Sequence, residues 1–172
     1  SNSSISFNIS WWYNINNREV LNARSGYEFF PKDKNYLYTI AQWFPRMCVY
    51  NDVEGWQNKQ FLGLGEFTLP FGDYEVNITV PSGHVVTATG ELQNGMDLLS
   101  KTQLKRLEEA KQSDKPVFII TPDEALKSER MKSKALKTWS FKAENVRDFA
   151  FASSRKFIWD AQGVDINGKN VL

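Results

Sequence analysis

The sequence contains one histidine and one cysteine, two kinds of side chain that commonly act in catalysis and metal binding. His84 directly follows a Pro-Ser-Gly turn, and Cys48 lies within an aromatic segment. A zinc site needs three or four converging ligands, and a nucleophilic cysteine needs a nearby base, normally a histidine. Since the two residues are far apart in the chain, we interpret His84 as a turn histidine and Cys48 as a buried structural thiol.

Carboxylates are the other candidates, because a pair of them can act as the general acid and base of a glycosidase. Four fall in or next to predicted turns: Asp52, Glu54, Asp73 and Glu75. An aspartate in a turn commonly hydrogen-bonds its own backbone, which explains such placement without catalysis. The residues by themselves therefore indicate no self-sufficient active site.

Composition excludes several classes of protein. The 172 residues include 21 Lys and Arg against 20 Asp and Glu, a formal net charge of +1, which argues against a dedicated nucleic-acid binder. A chain of this length buries roughly 70% of its unfolded surface and needs neither disulfides nor a metal to fold. No apolar run is long enough to predict a membrane span. We expect residues 1–172 to form one domain.

Alternation of apolar and polar residues predicts a mainly β fold. The clearest case is residues 5–15, which predict a half-buried strand. Residues 74–80 alternate in the same way, and we expect them to form a hairpin with residues 84–90. Asn167-Gly168 predicts a tight hairpin near the end of the chain.

The remaining segments of the N-terminal half are less regular. Residues 36–49 predict a strand that ends or bulges at Pro45, and residues 66–69 predict a short strand. Residues 16–31 lack either period and are interpreted as a long loop. Residues 51–65 carry glycines and other turn-formers and are interpreted as an ordered loop.

Two helices interrupt the β pattern at about residues 100–135. Ser100 and Gln103 have the spacing of a capping box, which predicts a helix start. Thr121-Pro122 is a second start signal, and we expect that helix to run to about Lys134. A short buried strand at residues 117–120 separates them. The predicted fold class is therefore antiparallel β-sandwich or saddle-like sheets with a two-helix insertion.

Aromatic residues are abundant: six Trp, six Tyr and twelve Phe, 14% of the chain. Exposed aromatics on a β-sandwich would suggest a carbohydrate platform, whereas inward-facing ones would form a core or cover a partner domain. Most fall on the alternating apolar face, which favours a core or a domain interface.

Ordered sequence segments occur along nearly the whole chain: WWYNI (11–15), RSGY (24–27), YTIAQWFPRM (38–47), GWQ (55–57), FLG (61–63), GEF (65–67), GDY (72–74), ITVP (78–81), ATG (88–90), ENVRDFA (144–150) and KFIWD (156–160). Together these segments resemble a bacterial branch of the aminopeptidase N family of zinc metallopeptidases. The resemblance implies a multidomain enzyme whose N-terminal domain is a saddle of antiparallel sheets. We therefore expect this chain to be a non-catalytic part of that domain, packed on the catalytic domain of the same polypeptide.

The family's zinc motif, His-Glu-x-x-His, and its Gly-x-Met-Glu-Asn motif are not in this sequence. The resemblance implies that zinc belongs to the parent enzyme and is bound outside this chain, so we expect no cofactor and no activity here. Family members supply one group to the substrate's N-terminus, Gln or Glu, from a loop of the N-terminal domain.

Gln42 best matches that residue and is the predicted substrate-binding group, with Glu54 or Tyr50 as alternatives. Arg46 and Asp52 are expected to hold the loop by a salt bridge. The expected partners are thus the catalytic domain and a peptide N-terminus, with no nucleic acid.

Two other functions remain open from the sequence. Relatives of the family that have lost zinc serve as protein-interaction scaffolds, and a sugar-binding β-sandwich would also fit the aromatic content. The bacterial branch suggests an exported, periplasmic location.

Overall fold

A computed structural model describes residues 3–59, 68–131 and 133–172. Of these residues, 37% are in strands and 17% in helices, which confirms a mainly β fold with antiparallel sheets. The strands are β1 (Gly26–Phe30), β2 (Asn35–Ile40), β3 (Tyr50–Asn51), β4 (Gly55–Trp56), β5 (Gly72–Pro81), β6 (Val85–Ala88), β7 (Glu91–Leu92), β8 (Val117–Ile120), β9 (Leu136–Val146), β10 (Phe151–Ser154), β11 (Trp159–Ala161), β12 (Val164–Ile166) and β13 (Lys169–Val171). The described helices are α1 (Arg18–Leu21), α2 (Gly95–Leu98), α3 (Lys101–Gln112) and α4 (Pro122–Glu129).

Two antiparallel sheets enclose the core. One has four strands in the order β1-β2-β10-β6, and the other has three in the order β5-β9-β7. The core cluster takes residues from both sheets and from the segments that join them: Ile78, Val86, Leu99, Trp139, Phe141, Ala143 and Phe149. Smaller antiparallel pairs, β3-β4, β8-β11 and β12-β13, complete the described strands.

The strand predicted at residues 5–15 is wrong, since these residues join no described sheet. Its alternating apolar side chains are not enclosed: Ile5 is 84% exposed and Phe7 56%. Alternation shows which residues could share a face, but a strand also needs a neighbour along its edge, and no described segment supplies one.

The hairpin predicted between residues 74–80 and 84–90 is also wrong, although both strands exist. β5 pairs with β9 over most of its length, whereas β6 pairs with β10 in the other sheet. The chain turns at Ser82 and Gly83, where the His84 amide donates to the Pro81 carbonyl at 2.8 Å. The turn thus carries the chain from one sheet to the other.

Other differences occur in the N-terminal third. Residues 16–31, predicted as a loop, contain α1 and β1. The strand predicted at residues 36–49 ends at Ile40, well before Pro45. The loop predicted at 51–65 contains part of the small β3-β4 hairpin, and its residues 60–65 lie outside the described residues. Of residues 66–69, the first two lie outside the described residues and the last two form no strand.

Both helix starts are confirmed with complete capping boxes. Ser100 Oγ accepts from the Gln103 amide while the Gln103 side chain accepts from the Ser100 amide, and Thr121 and Glu124 do the same for α4. α4 ends at Glu129, earlier than the predicted Lys134. No described helix is long and apolar enough to cross a membrane.

The helical segment is tied to the rest of the molecule at several points. β8 lies between the two helices and pairs with β11. The Lys156 ammonium bonds the carboxylates of Asp33 and Glu129, which joins the end of α4 to the β1-β2 turn. The Asn35 side-chain amide, in a nearly fully buried residue, donates to the Glu129 carbonyl at 3.1 Å.

The tight hairpin at Asn167-Gly168 is confirmed and joins β12 to β13. Both residues have positive φ, 55° and 80°, as the favoured two-residue hairpin turn requires. The Gly168 amide donates to Asp165 Oδ1 at 3.0 Å, which adds a side-chain bond across the turn.

Candidate functional site

The loop after β2, residues 41–59, carries the predicted substrate-binding residue and is called the Gln42 loop below. Gln42 has a φ of 52°, a left-handed conformation that is uncommon for a residue with a side chain. This backbone ends β2 and turns the chain away from the sheet. The Gln42 side chain is exposed and makes no hydrogen bond to any other residue that the structure describes.

Trp43 anchors the loop immediately after Gln42. Its indole N–H donates to the Phe149 carbonyl at 3.0 Å, and its ring meets the Phe151 ring edge-on at a centroid distance of 5.6 Å. The Trp11 indole N–H donates in turn to the Trp43 carbonyl at 3.0 Å. Trp43 is therefore held by both its side chain and its backbone.

Arg46 forms the second anchor, but with a partner other than the predicted one. Its guanidinium pairs with Asp148 at 2.8 Å and also donates to the Arg147 carbonyl. The salt bridge predicted between Arg46 and Asp52 is wrong, because Asp52 lies exposed in the turn of the β3-β4 hairpin. The sequence did not identify Asp148 as the partner of Arg46, because the two residues lie far apart in the chain and no spacing rule connects them.

The β3-β4 hairpin presents the two alternative candidates at the far end of the loop. Tyr50 and Trp56 lie edge to face with ring centroids 5.2 Å apart, and they are 63% and 61% exposed. Asn51 Oδ1 accepts from the Glu54 amide at 2.7 Å and shapes the turn. The Glu54 carboxylate is exposed and pairs with Lys59 at 3.3 Å.

A shallow apolar depression of about 360 Å³ lies beside Gln42, where β2, β6 and β10 meet. Ile40 and Ala41, the two residues before Gln42, line it together with Ala88 and Phe151. Gln42 thus directly follows, in the chain, two residues that line a mainly apolar surface. An arrangement of this kind can bind, but it contains no nucleophile or general base.

His84 lies directly after the turn, as predicted, and is buried. Its Nδ1 is 2.9 Å from Ser153 Oγ, and its ring lies near Tyr38 at a centroid distance of 6.1 Å. Burial, with a smaller effect of the nearby Arg155 charge, lowers the pKa of His84 to about 4. The imidazole is therefore neutral at pH 7, and it is enclosed by the sheet instead of facing a cleft.

Cys48 is exposed, so its interpretation as a buried thiol is wrong. The segment around it is apolar in sequence, but β2 has already ended and the segment runs over the surface.

Of the turn carboxylates, Asp73 accepts from the Asn145 amide at 2.8 Å, whereas Glu75 is exposed on the outer face of β5.

A zinc ion does not fit the side chains that the structure describes. No three His, Cys, Asp or Glu side chains among them lie close enough together to hold a metal ion. The one histidine is buried against Ser153. We therefore assign no metal ligand to these residues.

The aromatic residues divide between the two roles considered from the sequence. Trp139, Phe141 and Phe149 belong to the core. A second set is exposed and includes Trp12, Tyr50 and Trp56, with Trp12 at 86%. The aromatic content therefore supplies both a core and an outer surface.

Comparison of the chain with protein-family models, with curated proteins and with solved structures gives no match. The case for function therefore depends on the geometry of the Gln42 loop and on the resemblance of the sequence segments.

Proposed function

We propose that this chain is a non-catalytic part of the N-terminal β domain of a zinc-dependent aminopeptidase, which removes N-terminal residues from peptides. In that enzyme it helps to form the substrate cleft and packs on the catalytic domain. The observation that supports the proposal most directly is the Gln42 loop, where an exposed amide that bonds no described residue directly precedes the two anchored positions, Trp43 and Arg46.

The amide of Gln42 suits the recognition of a free peptide N-terminus. An α-ammonium group has hydrogen-bond donors and no acceptor, and a glutamine side chain offers a carbonyl oxygen that accepts. Such a bond is weak in water and becomes stronger when a second domain covers the site and excludes solvent. A surface amide that bonds no described residue is consistent with a site completed by another domain.

The anchors explain how the amide would be held in place. Trp43 and Arg46 bond the Phe149 and Arg147 carbonyls and the Asp148 carboxylate, so the loop on the C-terminal side of Gln42 is fixed to the segment that joins β9 to β10. Binding then requires less ordering of the loop, which reduces its entropic cost. Zinc would be bound by the catalytic domain, outside these residues.

The test starts from the open reading frame of the parent protein. We expect it to encode His-Glu-x-x-His after residue 172, and we expect the parent enzyme to hydrolyse aminoacyl-anilides while the 172-residue chain does not. In the parent, Gln42→Ala should raise KM roughly tenfold, which corresponds to the loss of one hydrogen bond to a charged group.

Asn58→Ala is the matched control, because Asn58 is also an exposed amide in the Gln42 loop and should leave KM unchanged. Glu54→Ala and Tyr50→Phe test the two alternatives in the same assay. A parent without the zinc motif would refute the enzyme proposal and favour an interaction scaffold. A normal KM for Gln42→Ala would refute only the assignment of that residue.

Carbohydrate binding is a second candidate, favoured by the exposed Tyr50–Trp56 pair on the β3-β4 hairpin. Exposed aromatic faces stack on the apolar faces of sugars. Glycan titrations followed by tryptophan fluorescence would show saturable quenching that Trp56→Ala abolishes. A flat response across a broad glycan panel would remove this candidate.

A further inference from the structure

Residues 4–15, called the N-terminal segment below, have the form of a strand without a partner. Their backbone contains no helix, turn or bend. From residue 4 to residue 15, no amide or carbonyl is hydrogen-bonded within the described part of the chain. Among the residues that the structure describes, neither backbone edge is paired, a condition that favours pairing with another strand.

The side chains of the N-terminal segment alternate in type, and the apolar row is half-exposed. From Phe7 to Ile15, the apolar residues at odd positions are between 39% and 56% exposed. The even positions hold serine and asparagine, apart from Trp12. A strand with one apolar row has a preferred register, because a slip by one residue would place that row opposite polar side chains.

The C-terminal end of the N-terminal segment contacts the rest of the molecule. Besides its hydrogen bond to the Trp43 carbonyl, the Trp11 ring lies 6.1 Å from the Trp43 ring. The Asn16 carbonyl accepts from the Tyr27 amide at 2.8 Å. These contacts hold the segment on the surface, and none of them uses a backbone amide or carbonyl of residues 4–15.

The segment also lacks the features that normally prevent edge pairing. Residues 4–15 contain no charged residue, no glycine and no proline. Soluble proteins commonly protect an open edge with lysine, proline or a bulge. An uncharged segment in which apolar and polar residues alternate, and which lacks these protective residues, has the composition of a strand that pairs with an identical strand.

We propose that two copies of this chain associate through their N-terminal segments as an antiparallel pair of strands, related by a two-fold axis at Ser10. In that register Ile5 lies opposite Ile15, Phe7 opposite Tyr13 and Ile9 opposite Trp11. Every apolar residue of the row then meets another apolar residue, which is the arrangement that stabilises a sheet. Two-fold symmetry makes one segment sufficient to supply both sides of the interface.

The absence of charge favours a second copy over a charged partner. Pairing two identical charged strands would place like charges near each other, which is destabilising, whereas these segments bring no charge to the interface. A partner with a charged edge would gain no complementary charge here. The inference concerns the 172-residue chain and does not depend on the enzyme assignment.

Cysteine cross-linking tests the register directly. In a Cys48→Ser background, which removes the exposed native thiol, Ser10→Cys places two thiols opposite each other across the axis, within reach of a disulfide. Ser6→Cys is the matched control, because antiparallel pairing separates its two copies by about 27 Å along the strands. Mild oxidation should cross-link the first variant into dimers and leave the second monomeric.

Sedimentation provides a test without cross-linking. The wild-type chain should show a monomer–dimer equilibrium, and Ser10→Lys should weaken it at least tenfold by placing two ammonium groups opposite each other. Asn58→Lys adds the same charge at an exposed site elsewhere and should leave the equilibrium unchanged. A wild-type chain that stays monomeric at all concentrations would overturn the proposal. Cross-linking of both cysteine variants would also overturn it, because that result indicates parallel pairing.

Discussion

At the scale of single residues, the surroundings decide what a reactive side chain does. The imidazole of His84 is 7% exposed and lies beside Ser153, whereas the thiol of Cys48 is in water. The sequence correctly places His84 next to a turn, because Pro-Ser-Gly is a local signal. The sequence predicts a buried Cys48, whereas the thiol is exposed. Its burial depends on where β2 ends, and β2 ends just before the left-handed backbone of Gln42.

His84 should make the folding stability depend on pH. Its pKa is about 4 in the folded state against an ordinary value of 6.5, so between these values the unfolded state binds more protons. Stability is therefore complete above pH 6.5, falls as the pH drops through this window, and is reduced by about 3 kcal/mol below pH 4. Urea unfolding measured from pH 7.5 to pH 4 checks this expectation.

His84→Asn serves as the control, because an asparagine can still bond Ser153 and does not titrate. We expect this variant to be less stable at pH 7 but to lose much less stability than the wild type between pH 6.5 and pH 4.5. Parallel stability curves for the two proteins over that range would show that His84 does not cause the pH dependence.

At the scale of elements, the helix starts illustrate signals that are complete within a few residues. The capping box at Ser100 and Gln103 forms as predicted, and the start signal at Thr121-Pro122 is completed by a second box with Glu124. Each box joins residues three apart, so no distant contact is needed. Glu124 also reaches outside its helix to Arg106 of α3, at 2.7 Å. Burial opposes ionisation of Glu124, but hydrogen bonds from Thr121 and Arg106 outweigh it and hold its pKa below the usual value.

The contact between α3 and α4 should be energetically coupled. A double-mutant cycle of Arg106→Ala and Glu124→Ala is expected to give a coupling of about 1–2 kcal/mol in urea unfolding, since both side chains are partly shielded from water. The pair of Lys105 and Glu109 is the matched control: it is 3.6 Å apart and largely exposed, and should couple by less than about 0.5 kcal/mol. Equal couplings would contradict this account.

At the scale of the whole molecule, stability should be concentrated where the two sheets meet. β5 and β9 form the longest ladder and supply Ile78, Trp139 and Phe141 to the core. The N-terminal segment has no backbone partner among the described residues. The described part of the molecule therefore combines a firmly paired centre with an extended N-terminal segment that pairs with no described strand.

Hydrogen exchange measured by mass spectrometry should show this contrast. We expect peptides from β5 and β9 to exchange last, because their amides open only on global unfolding. Peptides from residues 4–15 should exchange within seconds in dilute protein and more slowly as the concentration rises, when dimers form. Protection of residues 4–15 that does not change with concentration would mean that the segment is paired within one chain.

The sequence by itself determined the features that depend on near neighbours. These are the mainly β character, the two capped helices, the strand at β5 and the tight turn at Asn167-Gly168. Each follows from propensity, alternation or a motif only a few residues long. The segments that resemble an aminopeptidase also lie in the sequence, and they are the source of the expectation for Gln42.

The tertiary structure alone decided which strands pair and which side chains anchor the loop. β5 pairs with β9 instead of with β6, and Arg46 pairs with Asp148 instead of with Asp52. The strand predicted at residues 5–15 has the right alternation and yet no described neighbour. The physical reason is common to all three: alternation specifies the faces of a strand, whereas pairing depends on hydrogen bonds and packing between residues distant in the chain.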